Sequence, residues 1–366
     1  MRSLAWIALV ACSSPNAAQP DATRAADAAA IPDASIDAAP DAVPPLDPWT
    51  APLGSALAGV TLADGWTDLR ALPAPLAIAG GWTDSLFATP DGLHLRFAYA
   101  PMDFFDFFIS SGATQTITGP QLAGDLATGF QLFDATLTGS GWTIASDPVD
   151  DPSIVMASPA TNASDDLLVL TEFPASGPTR LYYSSAGSGA WSAPAEVSIG
   201  SAGANDDNAK IYGELATSVD IYFESNRGSN AQRTLYTTTY GSGAFTPVAK
   251  LAGIATATSD DSQPFLTADE QTIYFTSVRG NQYGVFTATR QADGSWADVH
   301  AIASPTTVTT MYAGNVTIIG EASVVSVTEG DLLYMMCGVA EDRHGSDTYG
   351  NADYVALVPC VARRPK

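Results

Sequence analysis

The chain has 366 residues, 46% hydrophobic and 15% charged, with 39 acidic against 15 basic side chains and a net charge of −24. That acidity leaves no basic surface for a polyanion, which excludes direct nucleic-acid binding from the readings worth pursuing. With 31 Gly and 24 Pro, the composition suits a turn-rich all-β protein better than a helical bundle.

Residues 1–11 open on Met1-Arg2-Ser3 and continue through an apolar run from Leu4 to Ala11, the pattern of an export signal. Leu9-Val10-Ala11-Cys12 resembles the bacterial lipobox. The resemblance implies cleavage before Cys12, a lipid on that cysteine, and a mature protein held to a membrane in the cell envelope, in the periplasm or at the outer membrane. Residues 12–49 are dominated by Ala, Asp, Pro and Ser, with Pro-Asp-Ala at 20–22, 32–34 and 40–42. Such a tract cannot bury enough apolar surface to offset its ordering entropy, and it reads as a disordered tether with a reach of about 35 Å. No later stretch reaches the roughly 18 apolar residues of a transmembrane helix.

Residues 50–366 carry an internal repeat. Leu167–Val197, Ile221–Leu251 and Ile273–Ile302 align with periods of 54 and 52 residues. Each holds a β-rich run (Leu167-Leu168-Val169-Leu170, Ile221-Tyr222-Phe223, Ile273-Tyr274-Phe275), a second strand, and then Gly, a small residue and an aromatic (Trp191, Phe245, Trp296). Leu95-Arg96-Phe97 and Leu333-Tyr334-Met335 add two further copies of the first run, and Trp66 and Trp142 two further aromatics. Five four-stranded units predict a five-bladed β-propeller. Because an aromatic element precedes the first unit and is missing after the last, the amino end is expected to supply the outermost strand of the last blade.

Asp260-Asp261-Ser262-Gln263-Pro264-Phe265-Leu266-Thr267-Ala268-Asp269, followed by Ile273-Tyr274-Phe275-Thr276-Ser277-Val278-Arg279-Gly280, resembles the WD40-like repeat of TolB-type propellers. Asp206 to Gly228 repeats it, and Asp84 to Phe97 carries the turn Thr89-Pro90-Asp91-Gly92. The resemblance implies a propeller and an envelope location, with five units where TolB has six.

An acid stands ahead of each β-rich run: Asp84, Asp151, Asp207, Asp261 and Glu321. In the loops entering the innermost strands, these five would ring one mouth of the channel. Hydrogen bonds to turn amides, arginines or a bound Ca²⁺ would then compensate their charge. The recurring aromatics and the equivalent Arg227 and Arg279 read as architectural. Two long loops, 100–130 and 338–352, break the repeat and are expected to overhang that mouth. They place Asp103, Phe104, Phe105, Asp106 and His344 beside Trp82 and Asp84 as a candidate ligand site.

Two functions follow from these features. The first is a membrane-anchored binding or scaffold module that takes a glycan, a peptide or an envelope protein through the face carrying the loops. The alternative is a carboxylate-dependent glycoside hydrolase using Asp84, Asp151 and Glu214, since five-bladed propellers host glycosidases. That chemistry needs a protonated acid and an ionised partner, about 5–5.5 Å apart for retention or about 6.5–9.5 Å for inversion. For Cys337 and Cys360, export and an even count favour a disulfide. A hairpin turning through 339–352 opposes it, separating the two cysteines by about 20 Å of strand.

Overall fold

The computed structural model describes residues 46–78, 80–101, 119, 131–147, 149, 155–174, 176–187, 190–200, 203–228, 232–279, 282–306, 314–341 and 354–366. The signal, Cys12 and the tether up to residue 45 lie outside them. Among the described residues, a single 3₁₀ turn (Pro48–Thr50) precedes 23 strands. Two come before the first blade, β1 (Val60–Leu62) and β2 (Thr67–Ala71).

Blade I is β3 (Trp82–Ala88), β4 (His94–Ala100), β5 (Gln131–Thr138) and β6 (Gly141–Ser146). Blade II is β7 (Met156–Thr161), β8 (Leu167–Glu172) and β9 (Arg180–Gly187), with β10 (Ala190–Trp191) and β11 (Ala195–Glu196) as two pieces of the outermost strand. Blade III repeats this as β12 (Asp206–Glu214), β13 (Ser218–Ser225), β14 (Thr234–Gly241), β15 (Ala244–Phe245) and β16 (Ala249–Lys250). Blade IV is β17 (Asp260–Leu266), β18 (Thr272–Arg279), β19 (Gln282–Arg290) and β20 (Trp296–Pro305). Blade V is β21 (Val316–Ser326), β22 (Gly330–Glu341) and β23 (Tyr354–Pro365).

The protein is therefore an all-β, five-bladed propeller of antiparallel four-stranded sheets. Its innermost strands β3, β7, β12, β17 and β21 each touch the next, and β21 returns to β3. As the repeat order implies, β2 fills the outermost place of blade V, with Arg70 opposite Val361 and Ala71 opposite Cys360. The preceding strand, β1, was not anticipated; it adds a fifth strand to blade IV by pairing with the end of β20.

The β-rich runs are the second strands of the blades. Their branched and aromatic side chains are buried on both faces because each blade is sandwiched between two neighbours, as with Phe97, Phe223 and Phe275. The turn Thr89-Pro90-Asp91-Gly92 closes the first hairpin. The Asp91 carboxylate accepts from Thr89 Oγ1 (2.6 Å) and Leu93 N (2.9 Å), and Gly92 takes the positive φ the turn needs. Thr267 to Gln271 repeats the device with Asp269.

The recurring aromatics pack as architecture. Trp66, Trp142 and Trp296 are buried. Arg364, Arg96 and Arg290 lie over Trp66, Trp191 and Trp296 at 4.5, 5.5 and 5.9 Å. Cys337 and Cys360 are disulfide-bonded with Cα atoms 6.0 Å apart, which corrects the strand argument against the bond. Cys337 pairs with Val358, so only two residues of β23, not six, separate it from the position of Cys360.

Candidate active site

Every innermost strand breaks its ladder at the same place. Register shifts fall between Asp84 and Phe87, Ala157 and Ala160, Asp207 and Lys210, Ser262 and Phe265, and Gly320 and Ser323. The first residue of each bulge has a left-handed backbone: Ser85 (φ 61°), Ser158 (57°), Asn208 (51°), Gln263 (53°) and Glu321 (58°). Such a conformation costs on the order of 1 kcal/mol or more at a non-glycine residue. Hydrogen bonds between blades offset it. Second-strand residues Thr171, Glu224 and Thr276 accept the bulge N–H of the following blade, from Asn208 (3.2 Å), Gln263 (2.8 Å) and Glu321 (3.1 Å). The ring closes where Leu86 N of blade I donates to Glu321 Oε2 of blade V at 3.0 Å.

The bulge side chains bond to one another around the axis. Ser85 Oγ lies 3.4 Å from Ser158 Oγ, which donates to Asn208 Oδ1 at 2.7 Å. Asn208 Nδ2 donates to Glu224 Oε2 (3.1 Å), and Gln263 Nε2 to Glu321 Oε1 (2.9 Å). Glu224, fully buried, also pairs with Arg233.

Two aspartates stand directly before a bulge, Asp84 in blade I and Asp207 in blade III, and each caps the next amide, at 2.9 and 2.7 Å. Asp84 is half-buried and hydrogen-bonds the carboxyl of Glu321, so the two share a proton. Burial pushes both above the carboxylate range, Glu321 well above it, with the Asp84 charge adding to the shift of Glu321. Burial, reinforced by Glu224 directly across the ladder, lifts Asp207 from 3.8 to about 7. Lys210 projects into the same cluster. Burial lowers its ammonium to about 8 against the pull of Glu321, Asp207 and Glu224.

The expected ring of five equivalent acids is corrected on two points. The described members lie within the innermost strands, not in loops before them, and they occupy different places: Asp84 and Asp207 precede the bulge by one residue, Asp261 by two, and Glu321 is the bulge residue itself. Asp261 is committed to Arg279, Ser259 and Ser277. Among the described residues, no group of three or more His, Cys, Asp or Glu side chains is placed to hold a metal ion.

Trp82 is buried in the core and not at a ligand face. Glu214 is exposed at the far end of β12, where Ser164 Oγ donates to it at 2.8 Å, and it takes no part in the cluster. Asp103, Phe104, Phe105, Asp106, Asp151 and His344 lie outside the described residues. Sequence reading missed Lys210, Glu224, Arg233 and Gln263. The repeat held a signal for two of them: Glu224 follows Tyr222-Phe223 where Thr276 follows Tyr274-Phe275, and Lys210 is a charge set between buried Ala209 and Ile211.

No protein-family model and no curated protein matches the sequence. Solved structures are similar in fold. A xylan β-1,4-xylosidase from Bacillus halodurans C-125 is 14% identical with a TM-score of 0.46 over 78% of this chain and 53% of its own. A protein of unknown function from Dyadobacter fermentans is 11% identical with a TM-score of 0.47, covering 84% of this chain and all of its own. A putative glycoside hydrolase from Parabacteroides distasonis is 13% identical with a TM-score of 0.47, over 84% and 97%. The chain thus spans about half the xylosidase's length. Where these neighbours have a described function they are glycoside hydrolases. At these identities the likeness is one of fold; the expected binding or scaffold module is not taken further, and the hydrolase alternative is proposed below on the geometry of the site.

Proposed function

We propose that the chain is a carboxylate-dependent glycoside hydrolase with its site at the mouth of the propeller channel. The observation that carries this reading is a pair of aspartates in the same backbone position on blades I and III, each capping the next amide but set among different neighbours, Asp84 against Glu321 and Asp207 across the ladder from Glu224. Asp207, raised to about 7, is poised between its two protonation states at neutral pH and serves as the general acid toward the leaving oxygen. Asp84, the half-buried member of its pair with Glu321, takes the ionised role, since the Glu321 hydrogen bond and the Ser85 amide favour its carboxylate against the burial that raises it. It activates water or stabilises the developing oxocarbenium ion. The local chemistry supports the division, since the two share a cap on the following amide and differ only in their neighbours.

The lipobox-like Leu9–Cys12 and the Pro-Asp-Ala tether support a lipid anchor outside the cytoplasm, and the WD40-like repeat supports an envelope location. The substrate is then a glycan met at the cell envelope.

Turnover of a panel of polysaccharides and aryl glycosides tests the proposal. Asp207→Asn should lower kcat on unactivated glycosides by about 10²- to 10⁴-fold and spare aryl glycosides with good leaving groups, which need less protonation. Asp84→Asn should lose both. A wild-type protein that turns over no member of the panel overturns the reading.

A further inference from the structure

We infer that Lys210 is a positioning residue that holds the carboxylates of this site in their working charge state by extending its ammonium across the channel from blade III to blade I. The repeat singles it out. Two residues after the start of each bulge stand Phe87, Ala160, Lys210, Phe265 and Ser323, and only one of the five is charged. Its ammonium lies 5.7 Å from the ring centre of Phe87, which occupies the same position on blade I. The side chain therefore passes blade II to reach the far wall, and the residue is only 5% exposed. A buried ammonium is costly unless opposite charge meets it.

The acidic groups facing Lys210 come from three strands: Asp207 on its own β12, Glu224 on β13 and Glu321 on β21. Behind these stand Asp84 on β3, which shares its proton with Glu321, and Arg233, which pairs with Glu224. Among the described residues, Tyr283 on β19 and Asp260 on β17 also face Glu224, and burial raises both. Arg233 answers Glu224. One negative charge on the Asp84–Glu321 pair then faces the single positive charge of Lys210, and Asp207 is left to keep its proton. The amides of Ser85 and Leu86 and the side chain of Gln263 also favour ionisation of the pair, but Lys210 brings the full positive charge, and without it the pair takes up a second proton at higher pH. The catalytic consequence rests on the hydrolase reading; the effect on charge does not.

The test compares wild type with Lys210→Met and Lys210→Arg. Carboxyl protonation is followed by infrared difference spectroscopy, assigned with Asp84→Asn, and the pH dependence of turnover is measured alongside. The Met variant should raise the carboxyl midpoint and the acidic limb of the rate profile by about one pH unit or more, reducing kcat and leaving KM unchanged. The Arg variant should restore both. A folded Met variant whose carboxyl titration superimposes on wild type overturns the inference. An infrared shift without turnover on any glycoside overturns the hydrolase reading alone. If Lys210→Met does not fold, the same substitution is made in Asp207→Asn, which takes one titrating carboxyl out of the cluster. An unshifted Asp84–Glu321 titration relative to the Asp207→Asn parent then overturns it.

Discussion

Arg227 and Arg279 occupy equivalent places in blades III and IV and make the same contacts. Arg227 forks onto Asp206 at 2.8 Å and lies over Phe223 and Tyr236; Arg279 pairs with Asp261 and lies over Phe275 and Phe286. Both aspartates stand two residues before a bulge, so the true counterpart of Asp261 is Asp206, one residue from the Asp207 that linear alignment selects. The two neighbouring acids then do different work: Asp206 clamps an arginine, and Asp207 turns to the channel cluster. Since Asp261 is fully buried, Arg279→Ala should destabilise the domain by about 3–5 kcal/mol, the cost of stranding a buried charge. Arg180→Ala, which breaks an exposed pair with Glu196, should cost less than about 1 kcal/mol. Urea unfolding of the two variants checks the contrast.

At the scale of elements, the bulges and the closure account for the architecture. A bulge frees backbone amides that no ladder partner can take. Blades II and IV place Pro159 and Pro264 at the second bulge residue, where the missing N–H costs nothing. Ring closure depends on β2, which lies against β23 beside Cys360. The disulfide from Cys360 to Cys337, 23 residues away, therefore stiffens the strand on which the amino-terminal segment docks. Replacing both cysteines by Ala should cost about 3 kcal/mol, read as a lower denaturation midpoint. The turn between β1 and β2 is held by Asp64 Oδ2, 2.7 Å from His300 Nε2 on β20. The imidazolium bonds the Asp298 carbonyl and then Asp64, which raises its pKa above 6.5. Its stabilising effect is complete below that value and fades as pH rises through the higher folded pKa. The pair is exposed and the effect small, so NMR titration of His300 with and without Asp64→Asn is the suitable measurement.

For the whole molecule, the buried cluster makes stability depend on pH with two opposed signs. Between 3.8 and about 7 the folded state keeps a proton on Asp207 that the unfolded chain releases, so stability falls as pH rises through this window. Between about 8 and 10.5 the unfolded chain holds a proton on Lys210 that the folded state has lost, so that group's contribution rises with pH. Asp207→Asn should flatten the first slope and, by removing a charge that holds the Lys210 proton, extend the second to lower pH, as measured by denaturation midpoints across the range. The network tolerates these charges because every blade contributes a bulge at one level, and no single blade could satisfy them.

The architecture was legible in the residues because its signal is local and repeated. A period of 52–54 residues, β-rich runs and one displaced aromatic specify five blades and closure by the amino end, and each of these survives an error of one or two positions. The site was not legible to the same degree. Asp84 joins the buried carboxyl cluster, but Trp82 went to the core, Glu214 to the surface, and the acids to three different bulge positions. Along a strand, a slip of one residue turns a side chain to the opposite face, and a bulge inserts such a slip without altering the spacing of the repeat. The disulfide depended on hairpin register in the same way. Which carboxyls share a proton, and which lysine answers them, depends on contacts between blades far apart in the chain; only ring closure brings those side chains together.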